Sequence, residues 1–123
     1  MKNFRILTTE LEAIKHQMEQ LCNLFRAEFG GDGLKNNKLV LKLANCANKK
    51  CPYCPHGPYW YRAFFNTRTR KFMFKYIGSS LKKSMLKGNE MQHWDRLKFY
   101  DNEIKRLKKE KQLIIKELKK LEK

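Results

Sequence analysis

From Gly33 to Asn89 the chain carries no acidic residue, although thirteen of its lysines and arginines fall in that stretch. A folded unit with so many uncompensated positive charges repels itself unless a polyanion neutralises it. The block therefore constrains both how the chain folds and what it meets. The flanking segments mix both signs and come close to balance, so the formal net charge of +16 is concentrated rather than spread. Nucleic acid is the polyanion this pattern points to, ahead of an anionic membrane surface.

At 123 residues the chain has room for one compact domain plus one long extension. Apolar residues make up 41% and charged residues 33%, which leaves a thin core of the kind that needs a metal or a partner chain as a staple. No segment approaches the roughly 20 apolar residues of a membrane span, and the start lacks the apolar stretch of a secretory signal. The reading is a soluble, cytoplasmic protein with no membrane and no small-molecule substrate, nucleoid-associated if it binds DNA.

Three segments are expected: an N-terminal amphipathic helix (1–31), a basic head (32–88) and a long C-terminal helix (89–123). The first helix is read from about Thr9 to Phe29. Thr9-x-x-Glu12 has the form of a capping box, and Leu7, Leu11, Ile14, Met18, Leu21 and Phe25 line one face. The run Gly30-Gly31-Asp32-Gly33 stops it. Lys38 to Ala44 alternates as a short strand, with Leu39, Leu41 and Leu43 against Lys38, Val40 and Lys42. The fold class is α+β, with a three-stranded antiparallel sheet in the head.

Tyr59 to Phe65 and Phe72 to Ile77 read as a hairpin around NTRTR. With Phe65 opposite Phe72, one face carries Tyr59, Tyr61, Ala63, Phe65, Phe72, Phe74 and Tyr76. The other carries Trp60, Arg62, Phe64, Met73, Lys75 and Ile77, and Arg62 then lies across from Lys75. Like charges opposite each other destabilise a sheet, which a phosphate between them would relieve. Arg68, Arg70 and Lys71 sit at the tip, and Lys82 and Lys83 follow on a short turn before a break at Gly88-Asn89.

From Glu90 to about Leu121 the pattern is one helix. Leu97, Ile104, Lys111 and Leu118 fall at a positions, and Tyr100, Leu107, Ile114 and Leu121 at d. Such a seam pairs either with a second copy or with the first helix. The expectation is both, the first helix covering part and a homodimer burying the rest.

Cys46-x4-Cys51-x2-Cys54 is followed at once by Pro55-His56. With no secretory signal, metal is a better reading than disulfides. Structural Zn²⁺ suits thiolates and imidazole in a closed tetrahedral set, which stabilises folding and leaves no open position for chemistry. His56, so close to Cys54, is one candidate for the fourth ligand; water, Cys22 or a second chain are the others. A buried structural thiol is the simplest account of Cys22.

The stretch CANKKCPYCPHGPYWYRAFF, with the later FKYIG, resembles an uncharacterised prokaryotic family. Its members carry a cysteine-rich knuckle, then His-Gly-Pro-Tyr, an aromatic strand, a basic turn, a second strand ending in Tyr-hydrophobic-Gly, and a helical tail. The residues that match are Cys46, Cys51, Cys54, His56, Gly57, Pro58, Tyr59, Tyr76, Ile77 and Gly78; the two-residue gap between Cys51 and Cys54 departs from the one-residue gap expected there. The resemblance implies the architecture rather than an activity. The hairpin is also similar to the N-terminal DNA-binding units of tyrosine recombinases, where a sheet face enters the major groove.

These features point to a non-catalytic nucleic-acid-binding protein, DNA favoured over RNA. Arg62, Arg68, Arg70, Lys71, Lys75, Lys82 and Lys83 are the candidate phosphate contacts. Trp60 is a candidate for stacking on bases, or alternatively packs against the long helix. An RNA- or ribosome-binding protein and a coiled-coil adaptor are the alternatives. The basic block offers no carboxylate to hold Mg²⁺ for phosphoryl chemistry, and Glu90, His93 and Asp95 form the one acidic grouping from which a nuclease would be built.

Overall fold

The computed structural model describes residues 2–30, 37–48 and 50–122. Their elements run α1 (Phe4–Phe29), β1 (Leu39–Ala44), β2 (His56–Asn66), β3 (Lys71–Gly78), two short 3₁₀ turns (Lys83–Met85 and Gly88–His93) and α2 (Trp94–Leu121). The architecture is α+β, with one antiparallel sheet in the order β1-β2-β3. Gly31 to Gly33, and with them the expected boundary between helix and head, lie outside the described residues.

α1 begins earlier than Thr9. The Asn3 side chain accepts from the Ile6 N–H at 2.9 Å and caps the helix, while the Thr9 hydroxyl donates back to the Arg5 carbonyl at 3.0 Å. Asn caps at least as well as Thr, and the earlier start adds the turn that brings Leu7 onto the buried face. The buried stripe Leu7, Leu11, Ile14, Met18, Leu21 and Phe25 is the one the spacing predicts.

α2 lies antiparallel to α1 and spends its stripe within the chain. Leu7 and Leu11 pack with Ile115 and Leu118, and Ile14 to Phe25 pack with Leu97 to Leu107. Arg96 clamps Glu28 with bonds of 2.9 and 2.6 Å at the other end of the pair. Of the expected a and d positions, Leu121 alone is exposed, at 41%. Ile115 is buried where Ile114 was expected to be, because a straight α-helix drifts about 20° per heptad from a strict seven-residue repeat. A pairing of α2 with a second copy is thus left little of the apolar seam that suggested it.

The sheet packs one face on this helix pair. Leu39 and Leu41 face the core, Leu41 opposite Trp60 and Leu39 opposite Arg62. Trp60 is fully buried, its ring edge-on to Phe25 at 5.3 Å. Its indole N–H donates to Asp101 Oδ1 at 3.0 Å. Asp101, itself buried, also accepts from the Leu81 N–H at 2.8 Å and from Ser80 at 3.3 Å, and pairs with Lys105 at 3.1 Å. One carboxylate thereby joins strand, loop and helix, and among the described residues no buried side-chain nitrogen or oxygen is left without a partner.

Candidate metal centre and the basic hairpin

The knuckle is assembled by strand pairing. β1 and β2 run together down to Ala44 opposite His56, so the residues just past the end of β1 and just before β2 meet. The Cys46 N–H points at Cys54 Sγ at 3.4 Å, and the two sulfurs lie 3.3 Å apart. The intervening turn returns Cys51 to within 3.6 Å of His56 Nε2. The peptide bonds Cys54–Pro55 and Gly57–Pro58 are both cis. Gly57 has φ +103°, and a Cβ there would stand 3.0 Å from the Tyr59 nitrogen, so the residue beside His56 has to be glycine.

The four donor atoms of Cys46, Cys51, Cys54 and His56 all lie within 4.8 Å of one another. Zinc–sulfur bonds of about 2.3 Å place tetrahedral ligands about 3.8 Å apart, so this grouping has the size of a metal site. The sulfurs are too far apart for a disulfide, and all four cysteines are free. His56 Nε2 is thus the donor that the fold brings together with the three thiols. Cys22 does not contribute: it is buried in α1, and loss of solvation raises its thiol to about 11.

Two lysines hold the knuckle to the helices. Lys111 donates to the Tyr53 and Pro55 carbonyls at 2.6 and 2.7 Å, and Lys15 donates to the Pro52 carbonyl at 2.7 Å. Burial, then Lys111 and Lys15, keeps His56 below the usual histidine range, in the neutral form that ligates. A bond from the Tyr53 backbone is the largest influence lowering the Cys51 thiol. Burial lowers Lys111 most, and the thiols of Cys54 and Cys51 act the other way. Three thiolates around a dication would leave one negative charge, which these two ammonium groups would complement.

From Tyr61 to Phe65 the hairpin register is as the sequence predicts, with Phe65 opposite Phe72 and Arg62 opposite Lys75, and a bulge then shifts it by one so that Trp60 lies opposite Gly78. Two of the candidate nucleic-acid contacts are nevertheless misplaced. Trp60 is the centre of the core and offers no face to a base. Arg62 is 5% exposed and gives both its terminal nitrogens to Glu90, at 2.6 and 2.5 Å, with further bonds to the Asn37 and Met85 carbonyls at 2.8 Å each. The anion that neutralises Arg62 is thus the carboxylate of Glu90, just beyond the basic block, rather than the phosphate expected between Arg62 and Lys75. The same contacts commit Glu90, which also accepts from the Lys87 N–H at 2.8 Å, to structure.

The remaining candidates are at the surface. Arg68, Arg70, Lys71 and Lys75 on the hairpin and Lys82 and Lys83 on the following turn are all exposed. The Asn66 side chain ties down the tip by accepting from the Arg68 N–H at 2.9 Å, and the Arg70 N–H bonds the Asn66 carbonyl at 2.8 Å.

Asp101 and Lys111 are not legible in the sequence as site residues. Lys111 reads as a polar heptad position, and only the fold shows that it reaches the knuckle. Asp101 is one carboxylate in a charge-rich helix, and nothing local marks it as buried. Comparison with known protein families, with curated proteins and with solved structures finds no match for this chain.

Proposed function

We propose that the chain is a non-catalytic nucleic-acid-binding protein whose contacts come from the basic hairpin and whose head is held by a structural Zn²⁺ on Cys46, Cys51, Cys54 and His56. The observation that carries this reading is the split in how the block's cations are treated. Arg62 turns inward and is neutralised by Glu90, while Arg68, Arg70, Lys71, Lys75, Lys82 and Lys83 are left in solvent. A fold that seeks out a carboxylate for one arginine and leaves six neighbouring cations at the surface has a surface suited to phosphates.

Zinc is supported by the donor set, since three thiolates and an imidazole are ligands it favours and hard cations do not. Its contribution would be to close the knuckle and fix the start of β2, with no position left for substrate.

The test is binding of labelled nucleic acid by fluorescence anisotropy across a salt series, with wild type and an Arg68→Ala/Arg70→Ala double variant. The variant is expected to bind more weakly and to lower the slope of log affinity against log salt by about 1.4 to 1.8, two phosphate contacts' worth. An unchanged slope removes the hairpin tip from the contact surface. Absence of binding at low salt to every nucleic acid tried sinks the reading and shifts attention to protein partners.

A further inference from the structure

The face of the sheet turned away from the helices is almost entirely aromatic. The register places Tyr61 opposite Tyr76, Ala63 opposite Phe74 and Phe65 opposite Phe72, with Lys42 of β1 beside Tyr59. Six rings, Tyr59, Tyr61, Phe65, Phe72, Phe74 and Tyr76, thus share one surface across β2 and β3. Tyr76 is 55% and Phe65 43% exposed, and the other four are half-buried among their neighbours. The rings meet edge to face, Tyr76 at 5.8 Å from both Tyr59 and Tyr61 and Phe65 at 5.4 Å from Phe72. Packing of that kind holds them as an ordered platform.

An uncovered apolar face asks what covers it, and here the surrounding charge answers. Lys42 Nζ sits 3.8 Å from the centroid of Phe74, and Lys108 Nζ reaches past Ser79 to 4.7 Å from that of Tyr59. The tip cations Arg68, Arg70 and Lys71 continue from the Phe65–Phe72 end. No residue between Gly33 and Asn89 is acidic, so every strand of the sheet is free of carboxylates. A ligand with flat apolar faces joined by regularly spaced negative charges matches this surface. A duplex hides its base faces in the stack; an unpaired strand displays them. Base–aromatic stacking is also tolerant of sequence, since every base has such a face.

We propose that this outer sheet face binds single-stranded nucleic acid, bases stacking on Tyr76, Tyr61 and Phe65 while Lys42, Lys108 and the hairpin tip take the phosphates. The proposal rests on the nucleic-acid reading above and narrows it, replacing the major-groove contact expected from the recombinase-like hairpin.

The experiment compares the wild-type chain on labelled oligo-rU, oligo-dT, an abasic strand and a duplex, all of about 12 nucleotides, within the range of single-strand sites. Both base-bearing strands are expected to bind more tightly than the duplex, and the abasic strand to bind at least about tenfold more weakly than oligo-dT, the size of one lost stacking contact. Tyr76→Ala and Phe65→Ala, at the two most exposed rings, are each expected to lose about tenfold on oligo-dT and nothing on the abasic strand. The order of oligo-rU and oligo-dT then names the sugar, and either order supports the platform while both exceed the duplex. Equal affinity for abasic, single and double strands, sensitive only to Arg68→Ala/Arg70→Ala, overturns the platform and leaves the broader reading standing. No binding to any of the four at low salt overturns both. A dimer that Tyr76→Ala returns to monomer, with no preference for single strands, overturns the platform in favour of a second copy of the chain.

Discussion

The two faces of the one sheet are built on opposite rules. The inner face takes in an arginine and a tryptophan and satisfies each with a carboxylate brought from elsewhere, Glu90 for Arg62 and Asp101 for Trp60. The outer face is the more apolar of the two in composition and is left uncovered. Simple in-out patterning would assign them the other way round. What decides is the helix pair: α1 and α2 present Phe25, Leu97, Tyr100 and Asp101, a surface with one buried anion, and the strand face carrying Trp60 complements it. On the proposal above, the part of this aromatic face that stays open, Tyr76 and Phe65 above all, serves the ligand rather than stability.

The largest expected effect follows directly. Trp60→Ala removes the largest fully buried side chain and orphans one bond to Asp101, and should cost about 3–5 kcal/mol of unfolding free energy by urea titration. A cost below about 1 kcal/mol would mean that the helix pair, rather than the inner face, carries the core.

Next comes the ion pair. Arg62→Met keeps the stem and strips Glu90 of its partner, and because Glu90 is still 24% exposed the loss should be about 2–3 kcal/mol, below that of a fully buried pair. Adding Glu90→Gln should restore part of it, since a neutral amide tolerates the missing guanidinium. If the single variant instead lowers nucleic-acid affinity with stability unchanged, Arg62 belongs with the surface cations after all.

How much of this is legible in the sequence depends on distance along the chain. The α1 stripe, the hairpin pairing and the Cys46-Cys51-Cys54 cluster are local, and spacing alone predicts them, whereas spacing leaves His56 as one of several possible fourth ligands. Which strand face turns inward, and whether α2 closes on α1 or on another copy, are set by contacts between residues far apart. Trp60 meets Asp101, Arg62 meets Glu90 and Arg96 meets Glu28 across 41, 28 and 68 positions. No periodicity within a strand carries that information, so the sequence leaves Trp60 open between a base contact and packing on the long helix, of which the structure has the second, and offers Arg62 as a phosphate contact and Lys111 as a polar register position.

Lys111 tests how the knuckle is coupled to the helices. Lys111→Met retains the buried stem but leaves the Tyr53 and Pro55 carbonyls without their shared donor. Supporting groups around metal ligands typically contribute 10- to 100-fold in affinity, and a loss of about tenfold is expected in competition with a chromophoric zinc chelator. An unchanged affinity would show that strand pairing at Ala44 and His56 suffices to hold the site.

The smallest effect is the one that separates the faces most sharply. Tyr76 lies more than half in solvent and Phe65 nearly so, so replacing either by alanine should cost about 1–2 kcal/mol of unfolding free energy, half or less of the Trp60→Ala loss. Tyr76→Thr keeps a strand-favouring residue and should be closer to neutral. A residue that contributes modestly to stability yet about tenfold to single-strand binding is held there for the ligand. If Tyr76→Ala instead costs as much as Trp60→Ala, the outer face is a second core, closed by another copy of the chain, and the contrast between the two faces disappears.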